Sequence, residues 1–310
     1  MFNVFIDGSA GTTGLKIVDR LSKRSDINLI KLPEELRKDI NARKDALNSA
    51  DVAFLCLPDS AAIEAVSLIE SDKVKVIDTS TAHRTNNDWQ YGFAELEGMR
   101  EKISCSKRIA NPGCHASGFI ALVYPLVEAG VLSKSENLSC FSLTGYSGGG
   151  KKMIAEYEDA ERDVLLDAPR QYGLTQQHKH LKEMKAISKI ENAPVFCPVV
   201  APFYSGMEVT VPIFKSMLKD GTTLDDIKNI YKEKYNGPIV NFVEGNDEAG
   251  FISANAYSDL DSMEIAVFGN EDRIILTARY DNLGKGASGA AIECLNIVLG
   301  QDETTGLAVK

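Results

Sequence analysis

The 310-residue chain is short of paired cysteine and of positive charge, and each shortage removes a class of function. Lysine and arginine number 34 against 44 aspartates and glutamates, a formal net charge of −10. A nucleic-acid partner is therefore not expected, because a phosphate backbone calls for clustered Lys and Arg. An anionic small molecule is still allowed, provided the binding charge is local. The cysteines, Cys56, Cys105, Cys114, Cys140, Cys197 and Cys294, make no CxxC pair and no metal-ligand spacing. No metal site and no disulfide framework is expected, and most of these thiols read as small buried hydrophobes. No apolar run approaches the roughly 20 residues that span a bilayer. Met1-Phe2-Asn3-Val4-Phe5-Ile6-Asp7 lacks the basic start and long apolar stretch of a signal peptide. The expectation is a cytoplasmic protein with no membrane partner. There is no internal repeat and no low-complexity tract.

The length suggests about two domains. The first third alternates strand and helix. Val4–Ile6 is a short apolar run closing on Asp7-Gly8, and Thr12–Leu21 has helical spacing with Leu15, Val18 and Leu21 on one face. Ile27–Leu32 reads as a strand stopped by Pro33, and Val52–Leu57 as a buried strand stopped by Pro58. Ser60–Ile69 reads as a helix capped by Asp59 or Ser60, and Val74–Ile77 as a strand ending at Asp78. Repeated β-α-β units of this kind predict a Rossmann-like parallel sheet covered by helices. Further on, Leu138–Thr144, Val195–Val200, Glu208–Phe214, Met263–Phe268 and Arg273–Tyr280 read as strands. Several alternate polar and apolar residues, which predicts a mixed or antiparallel sheet with one exposed face. Leu224–Tyr235 is a helix among them, and the apolar Gly286–Leu299 is a buried helix at the end. The fold class is α/β: a Rossmann-like parallel-sheet dinucleotide domain plus an α+β domain with a mixed sheet.

Two segments carry chemistry. Gly8-Ser9-Ala10-Gly11-Thr12-Thr13-Gly14 follows the first strand and opens a helix. Its glycines permit a tight turn and a close approach of backbone to a pyrophosphate, and the helix N-terminus adds N–H groups and a positive dipole end. Gly8, Ser9, Gly11, Thr12, Thr13 and Gly14 are thus candidate cofactor contacts. The second strand ends Ile30-Lys31-Leu32-Pro33, with a cation where NAD sites place an acid, which favours a 2′-phosphate and so NADP(H). In the second segment, Ile109–Phe119, a strand ends, Asn111-Pro112-Gly113 turns, and an apolar helix begins with Ile120, Val123, Leu126 and Val127 on its core face. Cys114 stands at the N-terminus of that helix, where the dipole lowers a thiol pKa and favours the nucleophilic thiolate. The flexible, lysine-bearing run Tyr146-Ser147-Gly148-Gly149-Gly150-Lys151-Lys152 is a candidate anion site, with Ser147 and Gly148 as substrate contacts.

These motifs, in this order, resemble the shorter form of the N-acetyl-γ-glutamyl-phosphate reductase family of arginine biosynthesis. The likeness runs nearly end to end, through Gly8–Gly14, Asp78–Thr85, Tyr91–Leu96, Asn111–Cys114, Ser147–Gly150, His178–His180 and Asn282–Ala287. One departure stands out: the nucleophile is usually followed by Tyr, and here by His115.

The resemblance implies NADPH-dependent conversion of N-acetyl-L-glutamyl 5-phosphate to N-acetyl-L-glutamate 5-semialdehyde and phosphate, through a thioester on Cys114. It places His178 and His180 at the catalytic centre, one of them as acid-base, with Glu183 beside them as a substrate-binding residue that orients the region. The sequence does not choose between the two, which on a strand would share a face. The resemblance also places Arg84 near the substrate, Ser80 near the cofactor, and Asn282 and Gly284 near the nicotinamide. It implies a discontinuous NADP-binding domain, 1–113 with 283–310, around a catalytic and oligomerisation domain, 114–282, and a homo-oligomer. Aspartate-semialdehyde dehydrogenase is the rival reading, alike in fold, cofactor and cysteine chemistry. A non-catalytic nucleotide-binding regulator is the rival from another class, and it would need neither the helix-capping cysteine nor the histidine pair.

Overall fold

The computed structural model describes residues 1–310. The chain divides into two compact units, Met1–Pro112 with Ala287–Leu307, and Gly113–Gly286 with Ala308–Lys310. The first unit runs β1 (Phe2–Asp7), α1 (Thr12–Leu21), β2 (Ile27–Ile30), α2 (Ile40–Ser49), β3 (Val52–Leu55), α3 (Asp59–Ser67), β4 (Lys75–Asp78), β5 (Gln90–Tyr91), α4 (Met99–Cys105) and β6 (Arg108–Ala110). The second runs α5 (Cys114–Glu128), β7 (Ser139–Gly145), α6 (Gly150–Glu158), β8 (Arg170–Gln171), α7 (His180–Ile187), β9 (Val195–Ala201), β10 (Met207–Phe214), α8 (Leu224–Lys234), β11 (Val240–Phe242), β12 (Met263–Gly269) and β13 (Arg273–Tyr280). A last helix, α9 (Gly289–Leu299), belongs to the first unit.

The first unit is a six-stranded, all-parallel sheet in the order β2-β1-β3-β4-β6-β5. Helices cover both faces, so a central strand such as β3 is buried at every residue. One core joins Ile17, Leu21 and Ile103 to Ile292 and Leu295 of α9; the other joins Ala46, Leu47, Ala62 and Val76 to Trp89. The buried stripe of α1 is Gly14, Ile17 and Leu21, spaced i, i+3, i+7. Leu15, expected on the core face, is 48% exposed, because two residues' separation from Ile17 carries it to the opposite side of the helix. α2 escaped the sequence reading because its inward face holds a charge. Arg43 is buried there and donates to Asp7 Oδ2 from Nε (3.1 Å) and Nη2 (3.0 Å), and to Glu64 from Nη1 (2.9 Å). Burial pushes the Asp7 carboxyl above its ordinary range, and Arg43 opposes that shift.

The second unit carries a seven-stranded mixed sheet in the order β11-β12-β13-β10-β7-β9-β8. β11–β12 and β7–β9 are parallel pairs, and the remaining pairs are antiparallel. Alternation sends Met207, Val209, Val211 and Ile213 of β10, and Leu276, Ala278 and Tyr280 of β13, to the face that packs against α5. The opposite face is lined by the registered rows Phe141–Thr210–Thr277 and Pro212–Ile275, with Phe214 beyond them. Phe141, Phe214 and Ile275 are exposed there.

The helix α5 has no polar stripe. Ile120, Val123, Leu126 and Val127 were expected to form its core face, but every residue from His115 to Val127 is buried. Such a helix must satisfy its irregular main-chain groups without water. Pro125 has no N–H to give the Ala121 carbonyl, and the Tyr235 hydroxyl, just past α8, donates to that oxygen at 2.8 Å. The Tyr231 hydroxyl of α8 donates to the neighbouring Leu122 carbonyl. Tyr235→Phe keeps the ring and strands the Ala121 carbonyl, so it is expected to lower unfolding stability by about 1–3 kcal/mol. Urea denaturation reads this as a lower midpoint with an unchanged slope; an unmoved midpoint would show that Ala121 is satisfied otherwise.

Candidate active site

In the first unit the β1–α1 turn is a tight cradle. Gly8 has φ +85, and a Cβ there would stand 2.2 Å from the Cys56 carbonyl oxygen; a Cβ on Gly14 would stand 2.5 Å from the Gly8 oxygen. Gly11 meets nothing closer than 3.6 Å, and its N–H donates to the Gly8 carbonyl at 3.1 Å. Gly11 is also the N-cap of α1, which has no side-chain cap and no acidic residue in its first turn. Ser9, Thr12 and Thr13 therefore border an uncapped, positively polarised helix end. Lys31 follows β2 as an exposed side chain.

Ser80 and Arg84 stand at the C-terminal edge of the same sheet. The Ser80 hydroxyl donates to Asp78 Oδ2 (2.7 Å) and its N–H to Oδ1 (2.9 Å). His83 Nδ1 is 2.6 Å from the same Oδ2, and its ring stacks on Trp89 at 4.0 Å, a structural role. Arg84 is 9% exposed; its Nε donates to the Asn111 carbonyl (2.9 Å) and its Nη2 to the Thr79 carbonyl (3.0 Å). The guanidinium thus ties the ends of β4 and β6 together and fixes the segment that leads into Cys114.

In the second unit Cys114 is the first residue of α5, half-buried, with Gly113 as N-cap. No side chain caps this helix and no acid lies in its first turn, so its first N–H groups have no intrahelical acceptor. The backbone around the thiol is held from several directions. Glu183 of α7, itself buried, accepts the Gly113 N–H at 2.7 Å. The Gly113 carbonyl accepts from the N–H (2.9 Å) and the hydroxyl (3.1 Å) of Ser117. The Tyr280 hydroxyl donates to the Cys114 carbonyl at 2.5 Å. None of the six cysteines is in a disulfide, and only Cys140 and Cys294 are fully buried, fewer than expected. Burial pushes the Cys56 thiol up to about 12 and Cys140 higher still, so neither is a thiolate at neutral pH.

Beside this helix end three imidazoles converge. Ring centroids of His178 and His180 lie 4.8 Å apart, and those of His115 lie 5.8 Å from His178 and 5.5 Å from His180. The pair does not sit on a strand: His180 is the first residue of α7, and its N–H donates to His178 Nδ1 at 3.3 Å. His115, in the place the resemblance usually gives to Tyr, is spanned at both nitrogens, with Ser142 Oγ 2.7 Å from Nδ1 and the Tyr172 hydroxyl 2.7 Å from Nε2. Burial, then His178, pushes its pKa down to about 3, so it stays neutral. Burial, then Lys179, also lowers His178. Burial, then the charge of Cys114, raises Tyr172.

Ser147 and Gly148 begin not in a loop but in a short 3₁₀ turn, Tyr146–Gly149, that feeds α6. The Asn282 amide donates to Ser147 Oγ (3.0 Å) and accepts the Gly206 N–H (3.0 Å). Gly284 lies where a Cβ would meet the Leu260 oxygen at 2.1 Å, and its N–H caps onto Asp281. The expected helix from Gly286 begins instead as a wider π turn, Gly284–Ser288. Sequence reasoning missed Tyr172 and Tyr280. Tyr280 was findable, since it is in phase with the inward Leu276 and Ala278 on β13, whereas Tyr172 lies in a polar stretch without any period.

Residues 3–105 match the family model described as semialdehyde dehydrogenase, NAD binding domain, and residues 114–282 match semialdehyde dehydrogenase, dimerisation domain. Proteins from Brucella ovis and Brucella melitensis, both named N-acetyl-gamma-glutamyl-phosphate reductase, are 44% identical over 96% of this chain and 99% of their own. Among solved structures, aspartate semialdehyde dehydrogenase II from Vibrio cholerae superposes with a TM-score of 0.71 at 15% identity, covering 97% of this chain and 98% of that one. The Candida albicans aspartate semialdehyde dehydrogenase with NADP gives 0.68 at 15% identity, covering 96% and 98%. At that identity the structures speak for the fold alone, while the sequence relatives and the family models go further. The chain belongs to the semialdehyde dehydrogenase family, in the group whose members are named N-acetyl-gamma-glutamyl-phosphate reductase.

Proposed function

We propose that this protein reduces N-acetyl-L-glutamyl 5-phosphate to N-acetyl-L-glutamate 5-semialdehyde, with NADPH as reductant and a thioester on Cys114 as intermediate. One observation carries the reading: a half-exposed cysteine opens an uncapped, buried helix within a cluster of imidazoles and phenols. The relatives at 44% identity point to the substrate, since the likeness to aspartate semialdehyde dehydrogenases, at 15% identity, shows the fold alone. A regulator that merely bound nucleotide would have no use for this cysteine environment.

The dinucleotide fits the first unit. The Gly8 and Gly14 cradle leaves no room for side chains, the α1 end offers N–H groups from Thr12 and Thr13, and Lys31 suits a 2′-phosphate. When bound, NADPH supplies a hydride. The remaining chemistry belongs to the second unit. Cys114 Sγ attacks the acyl carbon as a thiolate, the carbon–sulfur bond forms, and the carbon–oxygen bond to phosphate breaks. His178 accepts an N–H on Nδ1, so in its neutral form the proton sits on Nε2. We assign His178 the donor role toward the substrate oxygen as negative charge grows there, with His180 beside it and Glu183 holding the Gly113 main chain. Cys114 leaves as a thiolate when the aldehyde departs. A cytoplasmic setting suits a nucleophile that must remain reduced.

We also propose that a second copy covers the outer sheet face of the second unit, making a dimer. Its exposed Phe141, Phe214 and Ile275 stand on a segment that matches a dimerisation-domain model.

Phosphate-dependent reduction of NADP by N-acetylglutamate semialdehyde tests the reaction. Cys114→Ser is expected to lose about three orders of magnitude in turnover; full activity in that variant would reject the thioester, and activity confined to aspartate semialdehyde would move the substrate. His178→Ala should lose about 10²–10³-fold in kcat, and His178→Gln, whose amide nitrogen imitates Nε2, should recover about tenfold of it. Because His178 is lowered, it is neutral at pH 7, and the acid limb it governs should fall below the ordinary imidazole range and vanish in His178→Gln. An unchanged limb would assign it elsewhere. Phe214→Glu with Ile275→Glu should halve the mass seen in analytical ultracentrifugation; an unaltered mass would place the interface on another face.

A further inference from the structure

We infer that Tyr280 is a positioning residue for the nucleophile: its hydroxyl, held between the Cys114 carbonyl and the Gly118 N–H, sets the first turn of α5 in the pose that presents the thiol. This rests on Cys114 being the reacting group. The hydroxyl donates to the Cys114 carbonyl at 2.5 Å and accepts the Gly118 N–H at 3.0 Å, so it touches both members of an i, i+4 pair. Tyr280 is completely buried, and burial keeps its phenol protonated, so it remains a donor throughout the working pH range.

The surroundings are shaped to admit it. A Cβ on Gly118 would stand 2.7 Å from the Tyr280 hydroxyl oxygen and 2.6 Å from Val209 Cγ2. Only a glycine lets the phenol reach the helix axis at this turn. A Cβ on Gly286 would stand 3.0 Å from Cys114 Cβ, so the chain at Gly286 also closes against the cysteine. With Glu183 on the Gly113 N–H, the main chain of Cys114 is fixed before it, after it and beside it. A thiol gains from a helix N-terminus only while it is held in line with the first N–H groups, and the effect fades within a turn. Removing the hydroxyl lets the Cys114 carbonyl and the Gly118 N–H close on each other, which shifts that alignment directly. Tyr235 makes the same kind of bond to Ala121 in the same helix, two turns away, and is the natural control.

The test is alkylation of Cys114 by iodoacetamide across pH, with the site identified by peptide mass because Cys105 is also exposed. Tyr280→Phe is expected to slow Cys114 alkylation at pH 7 by about three- to tenfold, to move its pH midpoint upward, and to lower kcat similarly with KM nearly constant. Tyr235→Phe should lower stability and leave both readouts alone. Wild-type alkylation in Tyr280→Phe, or an equal slowing in Tyr235→Phe, would overturn the inference. If Tyr280→Phe does not fold, Gly118→Ala with Val209→Gly keeps every hydroxyl while leaving that of Tyr280 as the atom the new Cβ displaces, and should give the same shift relative to Val209→Gly alone; no shift there would overturn it equally. Alkylation needs no substrate, so an enzyme inactive on N-acetylglutamate semialdehyde would defeat the substrate assignment while this experiment still decided the role of Tyr280.

Discussion

A helix buried on all sides has to find partners for every main-chain group its own ladder does not serve, and α5 is such a helix. Its needs arise at the uncapped start, where the first N–H groups project, and at Pro125, where a donor is missing. Side chains from elsewhere in the second unit bind the main chain near both places, while the first turn itself keeps no side-chain cap. Glu183 meets Gly113, Tyr280 meets Cys114 and Gly118, and Tyr235 and Tyr231 meet Ala121 and Leu122. Satisfying a buried helix end and building a reactive cysteine are here one arrangement, because the groups that pin the backbone also decide where the thiol points. The same burial strips water from the imidazoles, which keeps His115 neutral and lowers His178.

Much of this was readable in the chain. The parallel sheet showed itself in continuous apolar runs such as Val52–Leu55, and the mixed sheet in the alternation of β10 and β13. The glycine cradle and the strand–turn–helix around Cys114 are local in sequence, and local patterns survive folding. What hid were interactions between residues far apart. Arg43 reaches Asp7 across 36 positions, and Tyr280 reaches Cys114 across 166. A charged side chain facing a core, or a tyrosine whose hydroxyl serves another helix, leaves no periodic trace. Leu15 misled for the opposite reason: an apolar residue on a short helix joins whichever face a reader draws, and only packing decides.

Some expected contacts are occupied within the protein itself. Ser80 gives its hydroxyl to Asp78, Asn282 gives its amide to Ser147 and Gly206, and Arg84 turns its fork on main-chain carbonyls. Motif residues of this kind first hold the loops that carry a site in shape. Substituting one of them would therefore change geometry as well as any contact with a ligand.

The places where the chain passes from one unit to the other carry a consequence of their own. The second unit starts at Gly113 and its main body ends at Gly286, and Gly286 lies against the β-carbon of the very next residue after that start, Cys114. Entry and exit thus share one doorway, with the sulfur on its threshold. A folded segment whose two ends meet holds the chain on either side of it close together, so its insertion adds little loop-closure cost to the host. The two ends of the second unit's main body thus meet at the reactive residue, and a side chain added at Gly286 would press on Cys114 itself.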